Sequence, residues 1–127
     1  MQNNNPKFKI DLKQRAYFYA LDIIKFIDIL DIKKDFSVNI IAKQLLRSAT
    51  SIGANIIEAQ AGSTKKDFTN FFSYSLKSTN ETKFWLGLLR DSGKVNKEKV
   101  DELFKEACEI ANILASSILT LKGKKKF

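Results

Sequence analysis

The sequence predicts an all-α protein, folded as an antiparallel up-down-up-down four-helix bundle. The chain has 127 residues, a length that suits one domain with a single core. Hydrophobic residues make up 44%, which is too many for a disordered chain. One proline and five glycines leave room for long uninterrupted helices. Apolar residues recur every three or four positions in four stretches joined by short polar connections, which is typical of a bundle.

The first helix is predicted from Leu12 to Leu30, after a flexible lead over residues 1–10. Its apolar residues step by three or four positions, as they do in an amphipathic helix. The predicted core stripe consists of Ala16, Ala20, Ile23, Ile27 and Leu30. Three aromatic residues widen this stripe, namely Tyr17, Tyr19 and Phe26. A stripe this broad suggests a second surface to be covered, such as one facing another subunit.

The second helix is predicted from Val38 to Ala61, with Ser37 as its N-cap. Gly62 is expected to end it, because glycine accepts the left-handed conformation that follows many helices. A glycine inside a helix costs about 1 kcal/mol against alanine, so Gly53 indicates close packing with a neighbour. The predicted core stripe consists of Val38, Ile41, Leu45, Ala49, Ile52, Ile56 and Ala59.

The third helix is predicted to begin at a cap on Ser63 or Thr64 and to run to about residue 90 or 91. Asp67 lies in its first turn, where a negative charge suits the helix dipole. The residues expected to point inward are Phe68, Phe71, Phe72, Ser75, Thr82, Trp85, Leu86 and Leu89. Four aromatic residues between positions 68 and 74 exceed what a small bundle is expected to bury, so we predict an intersubunit surface there.

The fourth helix is predicted to follow the turn at residues 92–96, with Asn96 as its N-cap and Glu98 and Asp101 early in it. Its core stripe is predicted as Val100, Leu103, Phe104, Ala107, Ile110, Ala111, Leu114, Ile118 and Leu121. The bundle domain then spans residues 11–121, and residues 122–127 form a basic C-terminal tail.

The second helix carries an ordered stripe of polar residues within the stretch LLRSATSIGANIIEA, residues 45–59. Arg47, Ser51, Asn55 and Glu58 are spaced four, four and three apart, so they share one helix face. In an antiparallel hairpin, the expected partners are Glu81 for Arg47, Ser75 or Ser78 for Ser51 or Asn55, and Lys66 for Glu58. We interpret Arg47, Ser51, Asn55, Glu58 and Glu81 as a structural polar layer that fixes the register of the two helices.

The residues that usually carry catalysis or bind metals are scarce. The chain has no histidine, and Cys108, its one cysteine, is interpreted as a small buried hydrophobe. No glycine loop for phosphate and no di-iron motif are present. We therefore expect no catalytic, metal-binding or cofactor-binding residue, no cofactor and no enzymatic activity. An enzyme that uses Glu58 or Glu81 is the least favoured alternative.

Localisation follows from what the sequence lacks. No apolar run approaches about 18 residues, and the first residues lack the apolar core of a signal peptide. We expect a cytoplasmic protein with no membrane partner.

The formal net charge is +8, with an isoelectric point near 9.6. A basic excess of this kind favours binding of RNA or DNA, mainly through phosphate and with a strong dependence on salt. The candidate contacts are Lys122, Lys124, Lys125 and Lys126 in the tail, and Lys33, Lys34, Lys94, Lys97 and Lys99 near the connections. The alternative for each is a solvated surface lysine. A protein-interaction scaffold is the alternative function for the whole chain.

Three motifs resemble those of a known family. The first is R-S-x-x-S-I-x-x-N-I-x-E, from Arg47 to Glu58; the second is S-x-K-x-D-F, from Ser63 to Phe68; the third is E-T-x-x-W-L, from Glu81 to Leu86. The chain resembles the four-helix bundle proteins encoded by intervening sequences in bacterial 23S rRNA genes. The resemblance extends over about residues 12–120.

This resemblance implies a bundle that assembles into a ring, as a homopentamer. A related member, the accessory variability determinant of diversity-generating retroelements, is a basic pentamer that binds nucleic acid and a reverse transcriptase. For this chain the resemblance thus adds a second alternative, an accessory subunit of a nucleic-acid-processing enzyme such as a reverse transcriptase.

Overall fold

Four long α-helices make up the structure, a computed structural model that describes residues 11–123, and no strand occurs within that range. The predicted lead over residues 1–10 and the tail residues 124–127 lie outside the described residues. The helices are α1 (Leu12–Asp28), α2 (Phe36–Ala61), α3 (Lys65–Asp91) and α4 (Lys97–Leu121). The predicted all-α antiparallel four-helix bundle is confirmed.

Side-chain contacts define the antiparallel order of the helices. Ser51 on α2 faces Ser78 on α3, with their hydroxyl oxygens 2.9 Å apart. On the other side, the Tyr19 hydroxyl of α1 donates to the Leu103 carbonyl of α4 at 2.8 Å. Each helix therefore packs against two neighbours, and α1 and α3 lie diagonally across the bundle.

Two of the predicted caps are confirmed and one is wrong. Thr64 caps α3 and Asn96 caps α4, each accepting a hydrogen bond from the backbone N–H three residues later. Asp35 caps α2 in place of Ser37, accepting from the Val38 N–H at 3.0 Å. The Ser37 hydroxyl donates to the same carboxylate. Because Asp35 is the cap, α2 begins at Phe36, one residue before Ser37.

The C-terminal ends of α1 and α2 also differ from prediction. Gly62 does end α2, but its φ of −70° is extended and not left-handed, so the physical reason given above was wrong. A left-handed conformation is found instead at Gly93, with φ of 73°, in the α3–α4 turn. The first helix stops at Asp28, two residues before the predicted end at Leu30.

The face of α1 that enters the core was predicted incorrectly in part. Ala16 and Ile23 are buried as expected, but Tyr19 and Phe26 complete the buried stripe. Ala20, Ile27 and Leu30 are only half-buried. The helix is apolar over much of its circumference, so its packing against both α2 and α4 decides which side faces inward. Burial raises the pKa of Tyr19 above its ordinary value.

An ion-pair cluster also ties α1 to α4. The Arg15 guanidinium lies 2.7 Å from the Glu106 carboxylate and also pairs with Glu109. The hydrogen bond with Glu106 is the main cause that raises the pKa of Arg15. Polar contacts thus link α1 to α4, whereas its contact with α2 is apolar.

The bundle itself buries the aromatic residues at the start of α3 only in part. Phe72 is buried, and Phe68 and Phe71 are half-buried against the core, with the Phe68 and Phe72 ring centres 4.6 Å apart. Only Tyr74 is exposed. The single bundle thus buries one of the four rings fully, and the intersubunit surface stays a prediction.

The expected core stripes of α2 and α4 are largely confirmed. In α2, Ile41 is half-buried, and Ala42 and Ser48 are buried in addition to the other expected residues. In α4, only Phe104 and Leu121 of the expected set are half-buried. Cys108 is half-buried and its thiol is free.

Candidate nucleic-acid interface and polar seam

The polar residues of α2 and α3 form a seam between these two helices, but its members differ from those predicted. Four side chains with hydroxyl groups are fully buried in it, namely Ser48, Ser75, Thr79 and Thr82. We call them the hydroxyl layer. Within the described residues, no buried side-chain nitrogen or oxygen lacks a hydrogen-bond partner. Such complete pairing is what makes buried polar groups tolerable.

Two contacts of the hydroxyl layer cross between the helices. Ser48 and Thr82 lie with their hydroxyl oxygens 2.9 Å apart. The Ser75 hydroxyl donates to the Ile52 carbonyl at 2.8 Å. Serine side chains are small, so the two backbones can approach closely. The hydrogen bonds specify one register of α2 against α3.

The outer side of the seam carries the predicted charged pair. Arg47 pairs with Glu81, and the Trp85 indole N–H donates to the same carboxylate at 3.2 Å. The Arg47 side chain is 56% exposed, so this pair borders the seam and is not part of the buried layer. An exposed ion pair of this kind contributes little to stability.

Of the other residues of the predicted stripe, Ser51 contacts Ser78 of α3, one of its predicted partners, whereas Asn55 has a local role. Asn55 donates to the Ser51 carbonyl at 2.9 Å, within α2 itself. Glu58 is exposed, and no ion pair between Glu58 and Lys66 is found among residues 11–123. Sequence reasoning overlooked Ser48 because it followed one spacing along α2, whereas the buried face lies next to that stripe. Thr79, on α3, was not among the residues expected to point inward.

The candidate lysines separate to opposite ends of the bundle. The loop end holds the α1–α2 and α3–α4 connections, with Lys33, Lys34, Lys94, Lys97 and Lys99. The terminal end holds the start of α1, the α2–α3 turn and the end of α4, with Lys122. At 1.5 Å per residue, the 27 residues of α3 separate the two ends by about 40 Å. The structure does not bring the two predicted groups together.

Most loop-end lysines have acidic partners. Lys94 lies 3.0 Å from the Asp35 carboxylate and donates to the Ser37 hydroxyl at 2.9 Å. The hydrogen bond from the Val38 N–H, followed by those from Lys94 and Ser37, lowers the pKa of Asp35 to about 2. The other pairs within the described residues are Lys97 with Asp101 at 3.1 Å, Lys99 with Glu102 at 3.8 Å and Lys34 with Asp31 at 3.8 Å.

At the terminal end, four described lysines are exposed and have no ion pair with another described residue, and one of them is Lys13 near the start of α1. Lys122 follows the end of α4, and Lys65 and Lys66 begin α3. Sequence reasoning did not select Lys65 or Lys66 as phosphate contacts, although two adjacent lysines beside a turn were a visible signal. Lys124, Lys125 and Lys126 lie outside the described residues, directly after Gly123.

Two other kinds of site are not found among residues 11–123. Between residues 11 and 123, no group of three or more histidine, cysteine, aspartate or glutamate residues is placed to hold a metal ion. None of the four helices is long and apolar enough to cross a membrane.

The antiparallel helices and their hydroxyl-bonded seam define an all-α four-helix bundle protein. The chain belongs to the 23S rRNA-intervening sequence protein family, whose model matches residues 9–116. It is also similar to a crystal structure of a protein with unknown function from the S23 ribosomal protein family of Bacteroides thetaiotaomicron. That structure is 34% identical, with a TM-score of 0.77, and the match covers 85% of this chain and 98% of the other. No curated protein matches the chain. The resemblance inferred from the motifs is confirmed.

Proposed function

We propose that this protein is a non-enzymatic homo-oligomer that binds RNA or DNA through phosphate contacts with lysines at the terminal end of the bundle. The described contacts in this proposal are Lys65, Lys66 and Lys122. Lys124, Lys125 and Lys126 extend the same group beyond the described residues. The loop-end lysines have a lesser role, because acidic side chains already neutralise most of them.

The distribution of charge along the chain carries this proposal. Residues 11–123 contain 17 of the 22 basic residues and all 14 acidic ones, so the helical body has a net charge of only +3. The five other basic residues are Lys7, Lys9, Lys124, Lys125 and Lys126. They belong to the segments that join the bundle at Asp11 and Gly123, both at the terminal end. A concentration of positive charge attracts phosphate far better than the same charge spread evenly.

The test compares the two ends with an equal change of charge. The terminal variant replaces Lys122, Lys124, Lys125 and Lys126 by glutamine, and the loop variant replaces Lys33, Lys34, Lys97 and Lys99. Lys94 is retained because its contact with Asp35 supports the start of α2. Binding of labelled structured RNA and duplex DNA is measured across a salt series, and molar mass is recorded by light scattering on the same samples.

We expect micromolar or tighter binding by the unaltered protein, weakening steeply with salt. The terminal variant should lose about tenfold in affinity at low salt and show a shallower salt dependence, because fewer phosphates are neutralised. The loop variant should bind nearly as well as the unaltered protein. Equal losses in both variants would contradict the assignment to the terminal end. An absence of binding even at low salt would favour a protein-interaction scaffold or an accessory subunit of a nucleic-acid-processing enzyme.

A further inference from the structure

A pocket opens at the terminal end of the bundle, beside the exposed lysines. We call it the terminal pocket. Its volume is about 700 Å³, which lies within the range of small-ligand sites. Leu12 of α1 and Phe68 and Phe72 of α3 line one side of it, and residues of α4 line the other. None of the described residues that line the terminal pocket is charged.

The α3 side of the terminal pocket is aromatic. The rings of Phe68 and Phe72 pack together, with their centres 4.6 Å apart. Phe72 is buried, whereas Phe68 is only half-buried and keeps part of its ring open to the pocket. A ring that is held in place by a second ring is a rigid platform on which a further flat ring can stack.

The α4 side of the terminal pocket is polar. Asn112, Ser116 and Thr120 are spaced four apart, so they lie along one face of α4. The Thr120 hydroxyl donates to the Ser116 carbonyl at 3.1 Å. The exposed Asn112 side chain forms no hydrogen bond with another described residue. A free carboxamide carries both donors and an acceptor, which is the combination that pairs with the edge of a nucleobase.

Positive charge lies around the terminal pocket and not inside it. Lys65 precedes Phe68 by three positions, which is about 5 Å along α3. Lys122 directly follows Leu121, the last residue that lines the pocket. Both lysines are exposed and have no ion pair with another described residue. The arrangement suits a ligand that is flat and uncharged where it enters the pocket and anionic on either side.

We propose that the terminal pocket receives an unpaired base of single-stranded nucleic acid. The base stacks on Phe68, its edge forms hydrogen bonds with Asn112, and the phosphates that flank it contact Lys65 and Lys122. An apolar helix in the same place would leave the α4 side unpaired and would gain nothing from the lysines. The inference deepens the phosphate binding of the proposed function and rests on it. Because the bases of a duplex are already paired and stacked, single strands and loops should bind better than duplexes.

The test uses two labelled DNA strands of equal length and equal phosphate charge. One is oligothymidylate, which does not pair with itself, and the other has an abasic site at every position. The pocket variants are Phe68→Leu and Asn112→Ala. Their controls are Phe71→Leu, a half-buried phenylalanine that does not line the pocket, and Gln60→Ala, an exposed amide at the same end of the bundle. Dissociation constants are measured across a salt series, with thermal unfolding recorded for each variant.

We expect the unaltered protein to bind oligothymidylate about tenfold more tightly than the abasic strand, because only the first strand can stack. Phe68→Leu and Asn112→Ala should each remove most of this difference. Both should leave the affinity for the abasic strand and the salt dependence unchanged, because the lysines are intact. Phe71→Leu and Gln60→Ala should bind both strands as the unaltered protein does.

A second measurement does not depend on the folding of any variant. An oligothymidylate strand that carries one photoreactive thiothymine is bound to the unaltered protein and irradiated, and the attached peptide is identified by mass spectrometry. We expect the attachment on the peptide that contains Phe68 or on the one that contains Asn112. Attachment confined to other helices would overturn the inference.

Two binding results would also overturn it, and they differ in what they leave in place. Equal affinity for the two strands would remove the base site and leave phosphate binding intact. An apolar ligand or another segment of this chain held in the terminal pocket would give that result. A failure to bind either strand at low salt would contradict the proposed function together with this inference.

Discussion

The two sides of α2 are built on opposite principles. Towards α3, small hydroxyl-bearing residues are fully buried and hydrogen-bonded across the contact. Towards α1, the surface is apolar and its outer part remains open as a groove, the α1–α2 groove, which is lined by residues such as Ala16, Ala20, Gly53, Ala54 and Ile57. A seam with directional hydrogen bonds specifies one register, whereas an apolar groove accepts a partner by shape alone. The α3 side of α2 therefore fixes the register of the bundle, whereas the outer part of the α1 side stays exposed.

The largest expected effect comes from the same substitution on each side of α2. Ile52→Ala removes a fully buried side chain and should lower the free energy of unfolding by about 3 kcal/mol, through lost burial and a cavity. Ile57→Ala, on the groove, should change it by less than about 0.5 kcal/mol in the dissociated chain. Urea unfolding at low and high protein concentration measures both. A cost for Ile57→Ala that grows with concentration would show that a second copy covers it.

The hydroxyl layer should show the next largest effect. Thr82→Val keeps the shape but removes the hydroxyl that contacts Ser48, and should cost about 1–2 kcal/mol. Thr50→Val is the control, since the exposed Thr50 hydroxyl bonds only to carbonyls of its own helix. Chemical unfolding of Thr82→Val, Ser48→Ala and their combination should show that the double variant loses less than the sum. Additive losses would show that Ser48 and Thr82 do not interact in the folded protein.

Gly53→Ala should stabilise the dissociated chain by up to about 1 kcal/mol, because alanine favours the helix and the unfolded chain loses freedom. The added methyl would be in ordinary contact with Ala16, so Gly53 is not required by space within one chain. Gly87→Ala in α3 is the control, since the nearest atom to its added Cβ is 3.9 Å away. Thermal unfolding compares the two variants. A loss of stability confined to Gly53→Ala would mean that α1 packs closer than the structure shows.

The smallest effect is expected at the exposed border of the α2–α3 seam. Arg47→Ala and Glu81→Ala should each lower stability slightly, with a coupling energy of about 0.2–1 kcal/mol, because both side chains are partly solvated. A double-mutant cycle in low salt and again near 1 M salt measures this coupling, which should decrease as salt screens the pair. A coupling that is independent of salt would point to the Trp85 contact as the main interaction.

The sequence was sufficient for the number, order and approximate bounds of the helices. Apolar periodicity and turn residues are local signals, so Asn96 was identified as a cap from its position alone, and the cap of α3 was narrowed to Ser63 or Thr64. Ser37 failed as a cap because Asp35 has equal local propensity and also binds Lys94, which lies 59 positions later in the chain. The prediction of the inward face of α1 failed for a similar reason, since several of its faces are apolar and only packing against α2 and α4 selects one.

The candidate interface was predictable in its residue types and not in its arrangement. Composition identified an excess of lysine but not the acidic partners of the loop-end lysines. Most of these partners lie three or four residues away in the sequence. Lys94 instead pairs with Asp35, which is distant in the sequence and close only in the fold. The separation of the two lysine groups by the length of the bundle also appears only once the helices are assembled.

The sequence by itself determined the four helices, the polar character of α2 and the family to which the chain belongs, because each depends on residue types at fixed spacing. The tertiary structure decided which hydroxyl groups are buried, that Lys94 pairs with Asp35 and which apolar residues stay exposed. These properties depend on how each helix is rotated about its axis against its neighbours. That rotation is set by the combined packing of all four helices, which no single segment encodes.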